Sequence, residues 1–153
     1  SLPRRLQISM SQKIQRLADQ TGKEISTLEI WEIFEKNFLI PKNGYKYIKH
    51  SSSSKDDTNN LELEMIFNNS KEIINGSGNG PIDAFINGLK TNLNLDLKVS
   101  DYNQSAISSG SDAKAGAYIE LEMNGKTSWG VGINSSTTKA SFEAIVVGIS
   151  KLV

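Results

Sequence analysis

The chain has 153 residues, enough for one compact core or two small units, and its seventeen basic residues cancel its seventeen acidic ones. Neutrality removes the global field that would draw in nucleic acid or an anionic membrane, despite two short basic patches at Arg4-Arg5 and Lys46–Lys55. The absence of cysteine excludes disulfides, thiolate metal sites and thiol nucleophiles, and fits a reducing, cytoplasmic setting. No run approaches the ~20 apolar residues of a membrane span, and the N-terminus lacks the apolar core of a signal peptide. The single histidine, His50, abuts "SSSSKDD" and is expected to be solvated rather than catalytic.

Residues 3–40 read as two helices. Pro3 suits an opening turn, where its missing N–H costs nothing. Leu6, Met10, Ile14, Leu17 and Ala18 form one apolar stripe, and Gly22 supplies a left-handed stop. "STLE" is a capping box in which Ser26 caps and Glu29 reaches back. Ile30, Trp31, Phe34 and Phe38 are expected to form the buried face of the second helix, and Pro41 blocks its continuation.

After Asn43-Gly44 the pattern changes. Residues 45–49 suit a short strand, and "SSSSKDDTNN" (51–60) a flexible loop. "LELEMIF" (61–67) alternates as a strand with one wet face, "NNS" turns the chain, and "KEIING" (71–76) returns as its hairpin partner. "PIDAFINGL" (81–89) predicts a helix with Pro81 in its first turn. The order then repeats, with strands at 95–102, 117–123 and 127–133 and a helix at 138–153. Leu61-Glu62-Leu63-Glu64 laid over Ile119-Glu120-Leu121-Glu122 gives an offset of 58 residues. The expected fold is α+β, with duplicated βββα units at about 44–93 and 94–153 after a helical segment, 1–43.

"AIVVGI" (144–149) is apolar around its whole circumference. It suits either a helix or a strand; "TKASFE" before it and the repeat favour helix. Exposed, it would be a sticky patch, which suggests the centre of a dimer interface.

"NGSGNGP" (75–81) places glycines at alternate positions before a helix. It is not a Walker A loop, since no Lys-Ser or Lys-Thr follows. The dinucleotide fingerprint would need glycine where Pro81 stands, in a parallel setting that the hairpins deny. Free N–H groups at a helix start would accept a carboxylate as readily as a phosphate. The segment 105–118 is crowded with small residues, which would line a pocket for a compact aliphatic group. The same glycines and alanines are equally suited to tight turns and close packing.

Three stretches, "SLPRRLQISMSQKIQRLADQTGKEIS", "GSGNGPIDAF" and "DYNQSAISSGSDAKAGAYIELEMNGKTSWGVGINSSTTKASFEAI", resemble the C-terminal part of the 2-isopropylmalate synthases. The resemblance covers almost the whole chain except residues 46–60. It implies a helical linker subdomain and a dimer-forming regulatory domain of two βββα units that binds L-leucine for feedback inhibition. It further implies a parent acyltransferase whose catalytic barrel condenses acetyl-CoA with 2-oxoisovalerate at a divalent metal. That barrel would be a partner of this segment; without it the segment would have no activity and no cofactor.

Carried over position by position, the resemblance assigns effector binding to Gly78, Asn79, Gly80, Pro81, Ile82 and Ala84 in a first loop. Tyr102, Ala106, Gly110, Asp112, Ala113 and Ala115 belong to a second segment, flanked by the matching Asp101 and Tyr118. The loop N–H groups would take the carboxylate of leucine, residues 106–115 would surround its side chain, and Asp83 or Asp112 could face its ammonium. Ser105 departs from the histidine that many relatives carry there, which leaves leucine and isoleucine open as effectors. A citramalate synthase has a similar regulatory domain that responds to isoleucine.

Overall fold

The computed structural model describes residues 2–108 and 110–153. Ser1, and Ser109 within the second small-residue segment, lie outside the described residues. Helix α1 spans Arg4–Thr21, and the Gly22 N–H, in the left-handed region at φ 65°, bonds the Ala18 carbonyl. Helix α2 spans Thr27–Phe34, opened by the capping box in which Ser26 Oγ accepts from the Glu29 N–H and Glu29 Oε1 accepts from the Ser26 N–H.

A π-helical turn, Glu35–Leu39, follows α2 directly and closes with the Ile40 N–H on the Glu35 carbonyl. The turn drives Phe38 inward, to 2% exposure. The expected burial of Ile30 and Trp31 does not hold, because both face solvent. Phe34 packs inward as expected, and Ile33 takes the inward place beside it, both against Leu6, Met10 and Phe38.

Two three-stranded antiparallel sheets follow, each strand paired with its neighbour in sequence. The first comprises β1 (Lys46–Lys55), β2 (Thr58–Phe67) and β3 (Ser70–Gly78). The second comprises β4 (Leu97–Ala106), β5 (Ala115–Met123) and β6 (Lys126–Asn134). Helix α3 (Pro81–Asn92) closes the first unit and α4 (Thr137–Ser150) the second. The fold is therefore α+β, with two βββα units behind a helical pair. Among the described residues no helix is long and apolar enough to cross a membrane.

The stretch 51–60 is a hairpin rather than a flexible loop. Asp56 and Asp57 adopt φ 51° and 64°, and two consecutive left-handed residues make the tight turn whose twist matches that of the strands. Asn68-Asn69 and Asn124-Gly125 make the corresponding turns of the β2–β3 and β5–β6 hairpins. The serines read as loop because both faces of the distal hairpin are wet, so no apolar alternation marks it. His50 is likewise not simply solvated. Its Nδ1 lies 2.7 Å from the Tyr47 hydroxyl, and its ring meets Phe142 of α4 edge-on at 4.9 Å.

The repeat is real but its offset is not 58. Pro81 and Thr137 open the two helices 56 residues apart, and the turns Asn68-Asn69 and Asn124-Gly125 are separated by the same 56 residues. Leu61 therefore corresponds to Ala117, not Ile119. Side chains alternate with period two, so a two-residue slip keeps every residue on its face and is invisible to an apolar pattern.

One core joins the two units. α3 sits on β2 and β3 and touches β4, whereas α4 sits on β5 and β6 and touches β1. Phe85 and Phe142 meet edge-to-face at 5.4 Å across the two helices. Ala144, Ile145, Val146, Val147 and Ile149 are at most 1% exposed within the single chain. The expectation that "AIVVGI" forms the centre of a dimer interface is thereby overturned: the second βββα unit and β1 already cover it.

Candidate functional site

The alternating glycines have a physical role in the seam between helix and sheet. Gly76 and Gly78 share one face of β3, turned toward α3. A Cβ on Gly76 would run into the Ala84 carbonyl and come within 2.8 Å of the Gly88 nitrogen. A Cβ on Gly78 would stand 2.5 Å from Asp83 Oδ2 and 2.8 Å from the Ala84 nitrogen. The second unit repeats the device, with Gly132 against Ala140 and Gly130 against Ala144 and Gly148. Gly80 differs: it is extended at φ −158°, and a Cβ there would meet nothing within 4 Å.

At the start of α3, the Asn79 N–H donates to Asp83 Oδ2 at 3.0 Å. One of the loop's N–H groups is thus already matched to a carboxylate of the chain itself, and Asp83 is turned toward that loop. An acid in the first turn also suits the helix dipole. Pro81 occupies the first helical position, Ile82 is half-buried, and Ala84 is buried beneath β3.

The small residues of the second segment gather elsewhere, at the end of β4 and β5 beside the start of α4. A cavity of about 440 Å³ is lined there by Ala106, Ala113, Ala115, Ser105, Ser135 and Thr137, among others. The intervening loop is held by the Ile107 N–H on the Lys114 carbonyl at 2.8 Å and the Lys114 N–H on Ser108 Oγ at 3.0 Å. Gly110 takes φ 103° in that loop and accepts from the Ala113 N–H, while Asp112 is exposed. Ser105 Oγ lies 3.1 Å from the Tyr118 hydroxyl. Tyr102 is 41% exposed on β4, with its N–H on Asp101 Oδ1.

The structure thus brings Ala106, Ala113 and Ala115 together and does not place Gly78, Asn79, Gly80, Pro81, Ile82 or Ala84 in the same cavity. Ser135 and Thr137 were not anticipated. At the 56-residue offset they stand where Asn79 and Pro81 stand in the first unit, so the correct repeat register would have found them. Ser136 caps α4 by accepting from the Lys139 N–H, which leaves the other first-turn N–H groups of α4 near the cavity mouth. Among the described residues no group of three or more His, Asp or Glu is placed to hold a metal ion.

Residues 24–153 match the family described as the LeuA allosteric (dimerisation) domain. The chain is 39% identical over 157 residues to the 2-isopropylmalate synthase of Mycobacterium ulcerans (strain Agy99), an alignment covering 99% of this chain and 28% of that protein. It is 39% identical over 150 residues to that of Thermobifida fusca (strain YX), covering 98% of this chain and 26% of that protein. It is 31% identical over 153 residues to that of Paraburkholderia xenovorans (strain LB400), again covering 98% and 26%. The chain spans about a quarter of the length of these curated relatives. Two βββα units and a match over nearly the whole chain lead to one conclusion: the chain belongs to the LeuA allosteric (dimerisation) domain family and corresponds to the C-terminal regulatory region of the 2-isopropylmalate synthases.

Proposed function

We propose that this chain is the effector-sensing and dimer-forming module of a 2-isopropylmalate synthase, and that its effector is L-leucine. The observation that carries the reading is the cavity walled by Ala106, Ala113 and Ala115 beside the first turn of α4. Alanines leave room for a branched aliphatic group, and unpaired helix N–H groups suit a carboxylate. The glycine strand of the first unit then contributes by fixing the seam on α3, with its exposed residues Asn79 and Pro81 available to the effector or to a second copy of the chain. Residues 1–43 act as the linker to a catalytic barrel, and residues 44–153 as the regulatory domain.

Inhibition on this reading is linkage: leucine must bind an inhibited arrangement of dimer and barrel more tightly than an active one. The segment alone has no condensation activity, and the divalent metal belongs to the barrel. Titration calorimetry of the chain with L-leucine, L-isoleucine and L-valine tests the proposal. Saturable binding selective for leucine is expected. Selectivity for isoleucine would move the parent to the citramalate branch, and no binding by a folded dimer would leave a dimerisation module that does not sense leucine.

A further inference from the structure

A second cleft, of about 520 Å³, separates α1 from the outer face of β5 and β6. Its charges are sorted along its walls. Arg5 of α1 bonds the carboxylate of Glu120 at 2.5 Å, and Glu120 is buried. Lys13 of α1 and Lys151, just past α4, both approach the ring of Phe38, at 6.0 and 4.8 Å from its centroid. Lys151 donates to the carbonyls of Asn37 and Trp129, which occupies two of its three N–H groups. Among the described residues neither ammonium has a carboxylate partner.

We propose that this cleft binds a small monoanionic carboxylate with a short apolar body, its carboxylate between Lys13 and Lys151 and its body against Trp129 and Phe38. The arrangement is the opposite of a closed salt-bridge network. Where a carboxylate belongs structurally, at Arg5, the chain supplies one in Glu120. Two lysine amino groups held around one aromatic ring, by contrast, have no carboxylate beside them among the described residues, and an anion seated between them would favour their charged forms. Glu120 on the same floor disfavours a larger polyanion. This site is separate from the small-residue cavity, with which it shares no lining residue.

The groups facing Lys151 agree in sign. Burial, Lys13 from α1 and Lys42 from the segment after the π turn lower its pKa to about 7, and the carboxylate that lines the cleft among the described residues, Glu120, is engaged by Arg5. An anion seated there favours the charged ammonium, so binding near neutral pH takes up protons.

The experiment is calorimetry of the 153-residue chain with isovalerate (3-methylbutanoate) at about pH 7.5 in two buffers of different ionisation heat, with the neutral isovaleramide as control. The expected result is binding of isovalerate with proton uptake, and none of the amide. Lys13→Gln and Lys151→Met should each weaken isovalerate at least about tenfold, and leucine binding should be unchanged in Lys13→Gln. No binding of isovalerate, equal binding of the amide, or undiminished binding in Lys13→Gln would overturn the proposal. So would displacement of isovalerate by leucine, which would assign it to the small-residue cavity. Lys13 lies on the surface of α1, so its variant remains informative even where Lys151→Met fails to fold. The proposed function is judged separately, by leucine binding in the unaltered chain.

Discussion

Gly76 of β3 and Ala84 of α3 meet backbone to backbone, with no room for a side chain between them. Gly76→Ala is therefore expected to destabilise the chain by about 1–3 kcal/mol, the usual cost of forcing extra atoms into a packed site. Gly80→Ala, four residues along, has open space and an extended backbone, and should change stability by under about 0.5 kcal/mol. Urea unfolding of the two variants checks the contrast. Equal effects would mean that the glycines serve the loop and not the seam.

A change in the small-residue cavity should act on the effector rather than on the fold. Ala113→Val fills space beside the start of α4 and is expected to weaken leucine at least about tenfold with little change in midpoint temperature. Calorimetry and thermal melting on the same sample separate the two effects. Unchanged affinity would remove residues 106–115 from the effector site.

Arg5→Ala should be costly because of what it leaves behind. Glu120 is buried, and desolvation pushes its pKa up while Arg5 holds it down. Without Arg5 the carboxylate faces the cleft uncompensated, at a cost of about 1–3 kcal/mol at neutral pH. A carboxyl group whose pKa is raised in the folded state favours folding most when protonated, so the loss should shrink toward pH 4. Glu120→Gln in the Arg5→Ala background should restore part of the stability, and denaturant curves at two pH values test both points.

His50 should make stability fall in mild acid. Burial, then the nearby Lys139, lowers its pKa below 6.5. The unfolded chain then binds the proton more readily than the folded one. The contribution of His50 is complete above about pH 6.5 and is lost as pH falls through the folded value. His50→Gln should flatten that part of the curve. An unchanged slope in the variant would assign the effect to other groups.

Lys151 should act in the alkaline range. Its pKa of about 7, against 10.5 unperturbed, means that the folded chain releases a proton that the unfolded chain keeps. Stability should rise with pH between about 7 and 10 and should do so much less in Lys151→Met. Denaturant midpoints across that range decide the matter.

The sequence exposed some of this architecture and concealed the rest for identifiable reasons. Leu61, Leu63 and Met65 against Glu62 and Glu64 declared β2, because one face was dry and the other wet. Ser51–Ser54 declared nothing, because that arm of the first hairpin is wet on both faces. "AIVVGI" was legible as a buried helix but not as to what buries it: an apolar surface does not state whether its cover is another chain or a neighbouring unit. Trp31 misled in the opposite direction, since size suggests burial and the short α2 turns Ile33 inward beside the expected Phe34 instead. The small residues 106–115 were legible as a cluster by composition. Their neighbours Ser135 and Thr137 required the repeat register, which alternation alone could not fix to better than two residues.

The glycine seams also determine how the second unit behaves mechanically. Where Gly130 and Gly132 set strand backbone directly against α4, no flexible side chains stand between the two to absorb a small shift by changing rotamer. α4 has fourteen residues and is about 21 Å long. Its first turn borders the alanine cavity, and at its far end the Ser150 hydroxyl accepts from the Lys42 N–H while Lys151 grips the Asn37 carbonyl. One stiff helix thus ties the alanine cavity at its first turn to the segment around the π turn at its last.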